Sequence, residues 1–237
     1  MIKFDHLTKT YRGATALADV SFEVLPGSVT GFLGPNGAGK TTALRILLGH
    51  SRATSGSATI AGRDYADLPN PAGTIGSLLD AHAIHPGRSG HETLGIAAAT
   101  IGVGRRRVNK VLDLVGLSVS EGRRSVRGYS LGMRQRLGIA QALLGAPRAL
   151  VLDEPANGLD PQGVHAIRNL LRSVAGEGCA VLLSSHLLNE VAQLADRVVI
   201  IGQGRVLDDS AIDPRMSPAD LESRYFALTS KNDRSAA

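Results

Sequence analysis

The stretch Gly34-Pro35-Asn36-Gly37-Ala38-Gly39-Lys40-Thr41-Thr42 has the residue types needed to hold a chain of phosphates, and 34–41 fits the spacing G-x-x-x-x-G-K-[ST] in full. Glycines let backbone N–H groups converge on anionic oxygens that a side chain would keep at a distance. A helix opening just after them aims the positive end of its dipole at the same point. Lys40 would neutralise charge on the β- and γ-phosphates. The Thr41 hydroxyl suits Mg²⁺, which takes hard oxygen ligands and bridges those phosphates. An ordinary glycine turn before a helix would need neither the lysine nor the hydroxyl.

A second group is Leu150-Val151-Leu152-Asp153-Glu154, an apolar run ending in two carboxylates. Burial makes a charge expensive unless it is used, and the C-terminal edge of a parallel sheet is where ligands bind. Asp153 reads as the Mg²⁺ carboxylate, acting through water. Glu154, one residue on and pointing differently, reads as the group that polarises the attacking water. A strand ending in Asp-Glu is by itself often only solvated; its weight comes from the glycine loop upstream. Together the two groups define a P-loop nucleoside triphosphatase with ATP and Mg²⁺ as its expected ligands.

These residues need a strand before the glycine loop, a helix after it, and a neighbouring parallel strand for Asp153. Val29-Thr30-Gly31-Phe32-Leu33 supplies the first and Ala43-Leu44-Arg45-Ile46-Leu47-Leu48 has helical composition. Residues 2–33 carry short apolar runs with a Pro26-Gly27 turn, as in hairpin-linked strands. Thr54-Ser55-Gly56-Ser57 and Ala61-Gly62-Arg63-Asp64 read as turns around a short strand, Ala58-Thr59-Ile60. From 91 to 144 the pattern is mainly helical, with Val108, Val111, Leu112, Val115 and Leu117 on one face. Apolar runs at 149–152, 180–183 and 198–201, the first two separated by a helix over 161–175, give βαβ order and a buried parallel sheet. The expected fold is α/β, with a mostly parallel core sheet, an N-terminal antiparallel β subdomain and an inserted helical subdomain. The expected division is one domain over 1–228, in which 1–90 and 146–228 form the core and 91–145 the helical lobe. Residues 229–237 are polar and small and read as a flexible tail.

Composition narrows the classes. With 43% hydrophobic and 20% charged residues the 237-residue chain is globular. Cys179 is the only cysteine, so no internal disulfide or cysteine metal cluster forms; within Cys179-Ala180-Val181 it reads as a small buried strand residue. The apolar stretch 94–104 stops at Arg105-Arg106-Arg107, short of the roughly 20 residues that span a bilayer. That arginine run reads as a solvated helix end. The start has no apolar core followed by a cleavage site, so secretion is not indicated and a cytoplasmic location is expected. A net charge of +5 is compatible with nucleic acid, anionic lipid or merely a basic surface, and 3% aromatics without Trp disfavour base stacking along a strand.

Further motifs resemble those of ABC ATPases. Tyr129-Ser130-Leu131-Gly132-Met133, followed by Gln135-Arg136, is similar to the signature Leu-Ser-Gly-Gly-Gln; Ser130, Gly132, Gln135 and Arg136 match, while Leu131 and Met133 depart from it. Asn157-Gly158-Leu159-Asp160 resembles the D-loop, Ser184-Ser185-His186 the switch histidine, and Tyr11 the aromatic that stacks on adenine. Asp80 stands where many members carry the Q-loop glutamine. Residues 81–91 around it are similar to those of bacterial drug-resistance or bacitracin-type export ATPases. The resemblance spans about residues 2–207. It implies ATP hydrolysis assisted by Glu154 and His186, with Ser130 and Gly132 offered to the nucleotide of a second ATPase subunit. It further implies separate integral membrane permease subunits that hold the chain on the inner face of the membrane. A carboxylate at Asp80 would add a hard ligand for Mg²⁺.

Two rivals are weighed. Gly128-Tyr129-Ser130-Leu131-Gly132 fits G-x-S-x-G, and Asp153 or Asp160 and then His186 follow in α/β-hydrolase order, yet the preceding Gly122-Arg123-Arg124-Ser125-Val126-Arg127 is basic where that fold needs a strong strand. A soluble ABC ATPase acting on nucleic acid or ribosomes suits the basic balance. By resemblance, such proteins carry a coiled-coil insertion or two ATPase domains, and neither is seen in this sequence.

Overall fold

The computed structural model describes residues 1–213 and 215–230. Strands β1 (Ile2–Tyr11) and β2 (Ala14–Val24) precede β3 (Val29–Leu33), which runs through the glycine loop into α1 (Lys40–Leu47) and on to β4 (Ser55–Ile60). A short helix α2 (Pro71–Thr74) leads into β5 (Ile75–Leu78). Then come α3 (Gly90–Thr100), α4 (Arg105–Leu114), α5 (Val119–Arg123) and α6 (Leu131–Ala142). The chain returns through β6 (Ala149–Asp153), α7 (Pro161–Gly176), β7 (Ala180–Ser185), α8 (Leu188–Leu194), β8 (Arg197–Gly202), β9 (Arg205–Ala211) and α9 (Pro218–Thr229).

The larger sheet has the order β5-β6-β7-β3-β8-β9, the smaller one β2-β1-β4. In the larger sheet β5, β6, β7, β3 and β8 pair in parallel and β9 lies antiparallel on β8. All five residues of β3 are buried, as a strand covered on both faces requires. Side chains alternate between two cores. Leu150, Leu152, Leu183 and Ile200 meet the helices on one face, with Leu94, Val108, Val111, Leu112 and Leu137. Val151, Leu182, Val199 and Ile201 meet α1 and the antiparallel sheet on the other, with Phe4, Phe22 and Leu44. The glycine loop and Asp153 therefore emerge at the same sheet edge, because β3 and β6 flank β7 in the same direction.

Several local expectations are corrected. The hairpin turn joining β1 and β2 is at Arg12-Gly13, whereas Pro26-Gly27 joins strands of different sheets. Ser55-Gly56-Ser57 are not a turn but the first half of β4, where Gly56, at φ +73°, absorbs a register shift against β1. A Cβ on Gly56 would stand 2.1 Å from the His6 carbonyl oxygen. The arginine run opens α4 with Arg105 and Arg106 exposed, but Arg107 is half-buried and its guanidinium donates to the carbonyls of Leu143 and Leu144 at the end of α6. Such bonds satisfy the free carbonyls that every helix end leaves. Thr229, taken as the first tail residue, is buried at the end of α9; residues 231–237 of that expected tail lie outside the described residues. Among the described residues no helix is long and apolar enough to cross a membrane.

Candidate active site

Asn36, Gly37, Ala38 and Gly39 curl over the N-terminus of α1 to form a cavity of about 260 Å³, lined also by Ala16, Pro35, Lys40, Thr41, Thr42, Asp153 and Glu154. Gly39 is the N-cap residue of α1 at φ 108°, a left-handed conformation open to glycine. A Cβ there would press to 2.6 Å from the Ala16 carbonyl, so the loop packs directly on β2. Gly34 lies buried beneath the loop, where a Cβ would meet the Ile201 carbonyl at 2.3 Å. Both positions thus require glycine for close backbone approach.

Lys40 is 8% exposed, and its ammonium donates to the carbonyls of Gly34 and Pro35. Burial lowers its pKa, while the charges of Glu154 and then Asp153 pull it back up. Thr41 Oγ1 donates to Asp153 Oδ2 at 2.9 Å, and the Ser184 hydroxyl donates to Asp153 Oδ1. A hydroxyl and a carboxylate held together at the mouth of the loop are a hard oxygen donor set, which fits Mg²⁺. Among the described residues no cluster of three or more His, Cys, Asp or Glu offers a rival metal site.

Glu154 follows Asp153 at φ 51°, a left-handed conformation for a residue with a side chain, costing on the order of 1–3 kcal/mol. Its surroundings fix it there. The Glu154 N–H donates to Ser184 O at 3.2 Å and to Ser184 Oγ at 3.1 Å, and its carbonyl accepts from Asn157 N–H at 3.1 Å and Gln135 Nε2 at 2.9 Å. Glu154 lines the loop cavity. There Oε2 accepts from His186 Nδ1 at 2.7 Å and, more weakly, from His186 N–H at 3.4 Å.

The remaining expected residues are not drawn into this cavity. Ser130 and Gly132 stand at the N-terminus of α6, where the Ser130 hydroxyl accepts from Met133 N–H at 3.2 Å and Gly132 packs against Gly158 and Leu159. Tyr11 is 47% exposed, with Lys9 Nζ 4.6 Å from its ring centroid and its hydroxyl 3.3 Å from Ser51 Oγ. Asp80 is the clearest departure from expectation. It is exposed, its Oδ1 accepts from His82 N–H at 2.7 Å, and it lines a separate cavity with Arg45, His50 and Gln141. Asp80 does not line the cavity that holds Thr41 and Asp153. The hydrolase reading of Ser130 also fails, because a 3₁₀ turn at Val126–Gly128 precedes it and His186 is paired with Glu154.

Sequence reasoning missed Ser184 as a partner of both carboxylate residues and Gln135 as a partner of Glu154. The signal for Ser184 was its place ending an apolar strand; in the sheet it sits directly beside Asp153. For Gln135 it was an amide among the buried residues of α6.

The parallel sheet, the glycine loop on α1 and the Asp153-Glu154 edge together define a P-loop ATPase. Residues 17–157 match the family model described as ABC transporter. The bacitracin transport ATP-binding protein BcrA of Bacillus licheniformis is 41% identical over 235 residues, 98% of this chain and 76% of the relative. The lantibiotic transport ATP-binding protein SrtF of Streptococcus pyogenes is 37% identical over 90% of this chain and 92% of the relative. A solved dimeric bacterial ABC transporter cassette superposes with a TM-score of 0.83 at 25% identity, covering 90% of this chain and 99% of that one. The chain belongs to the ABC transporter family and is an ATP-binding, ATP-hydrolysing subunit.

Proposed function

We propose that two copies of this chain close head to tail on ATP and open again when it is hydrolysed, driving export through separate membrane permease subunits. The observation that carries the chemistry is the Glu154 carboxylate, aimed at the loop mouth and bonded to His186 Nδ1 at 2.7 Å. In this reading the backbone N–H groups of 36–42 and Lys40 bind the phosphates, while Thr41 and Asp153 hold Mg²⁺. The metal supplies charge neutralisation on the phosphates. Glu154 orients the attacking water and accepts its proton; His186 steadies that carboxylate and reaches toward the γ-phosphate. Tyr11 offers one ring face to the base.

A head-to-tail pair is supported by the position of Ser130. It is exposed at the N-terminus of α6, an anion-favouring helix end, yet it does not line the cavity of its own chain. A second copy would bring that helix end to the γ-phosphate side of the loop, each site taking one half from each chain. The solved cassette of similar fold is dimeric, and the relatives named above are bacitracin and lantibiotic transport proteins. The first supports the pairing and the second the transport reading. The permease would hold the chain at the inner face of the membrane. Glu154→Gln keeps the side chain's size but removes its basicity. It should retain MgATP binding and slow turnover by about 100-fold. Near-normal turnover would overturn the assignment.

A further inference from the structure

We infer that Gln135 is the positioning residue that sets the Glu154 carboxylate for its proton transfer, so that α6 serves its own chain's site as well as presenting Ser130. The inference rests on the reading of Glu154 given above. The Glu154 backbone is left-handed and would relax if it were free to do so. Most of the bonds that prevent this come from its own surroundings in the core: Ser184 on β7 and Asn157 three residues along the chain. Gln135 Nε2, 2.9 Å from the Glu154 carbonyl oxygen, is the contact that arrives from the helical lobe.

The setting of Gln135 suits such a role. It is 4% exposed and lies one turn from the N-terminus of α6, among the buried Leu137, Gly138, Ile139 and Ala140. A buried amide in such company is costly unless it is bonded. Its reach to a carbonyl of the sheet edge fixes the distance between α6 and the 154–159 loop. The same two segments touch again where Gly132 meets Gly158 and Leu159, and where the Leu131 side chain lies over Gly158. Gln135 thus holds the peptide that follows Glu154, while His186 Nδ1 holds the Glu154 carboxylate at the loop cavity. Removing the clamp would leave the carbonyl its bond from Asn157, so no buried acceptor is orphaned and the fold should persist. The carboxylate would then spend less time in line with the water.

Gln135→Met keeps the side chain's length without its donor. It should lower kcat about tenfold while the KM for ATP, MgATP binding and the thermal midpoint stay near wild type. In the Glu154→Gln background, measured under single-turnover conditions, the same substitution should cost nothing further, because the group it positions is already gone. Gln135→Leu should behave alike and stands in if the methionine variant does not fold. A kcat within about twofold of wild type would overturn the inference, as would an equal further fall in the Glu154→Gln background. Normal turnover of Glu154→Gln itself would instead overturn the reading of Glu154, and this inference with it.

Discussion

At the scale of residues, the site is a set of charges held at short range by neutral partners. Lys40 spends its ammonium on loop carbonyls, Asp153 is bracketed by the hydroxyls of Thr41 and Ser184, and Glu154 is fixed from both sides of its peptide. Asp80 shows the opposite case. Its carboxylate closes a turn onto His82 and faces a different cavity, so Asp80→Asn should leave the Mg²⁺ dependence of ATPase activity unchanged. Titrating Mg²⁺ at fixed ATP should give superimposable curves; a shift of the midpoint by about threefold or more would return Asp80 to the metal site. Of the residues singled out in the sequence, 35–42, Asp153 and Glu154 line one cavity and His186 bonds Glu154; the glycine loop was marked by its spacing, His186 only by resemblance. Gln135 and Ser184 were not legible as partners. Nothing in a one-dimensional pattern says which backbone atom a buried amide reaches or which strand lies beside another.

At the scale of elements, helix starts are set by local chemistry. Ser89 with Glu92, Ser118 with Glu121 and Ser217 with Asp220 form reciprocal capping boxes at the starts of α3, α5 and α9. Hydrogen bonds from the capping serines hold the carboxylates of Glu92, Glu121 and Asp220 below their ordinary range. A depressed carboxylate contributes stability above its unfolded-state pKa and loses it as pH falls through the folded one. The thermal midpoint should therefore drop as pH falls below the ordinary carboxylate range. Glu92→Gln and Glu121→Gln should each flatten that drop, and a slope unchanged in both variants would deny the caps this role. Elements with clear periodicity, such as α4, α7 and the inner strands, were readable from apolar spacing alone. Strand β9 was not. It is an edge strand carrying Asp208 and Asp209, made tolerable by Arg224 and Arg197, which lie elsewhere in the chain. Strand β4 was half hidden for a related reason: Gly56 reads as a turn, and only its pairing with β1 makes it a bulge.

At the scale of the whole molecule, two apolar cores on either face of the parallel sheet bring β3 and β6 to one edge, while α6 presents Ser130 away from that edge's cavity. The Ser130 end of α6 thus does not line the phosphate cavity of its own copy, although Gln135 on the same helix reaches Glu154 there. That separation is the physical basis for proposing a pair. Its most direct test is sedimentation of the Glu154→Gln protein, in which hydrolysis is slowed but the loop, Thr41 and Asp153 are intact. With MgATP the protein should sediment as a dimer and with MgADP as a monomer, because only the γ-phosphate can be shared between the loop of one copy and Ser130 of the other. A single monomeric species in both nucleotides would contradict the head-to-tail account.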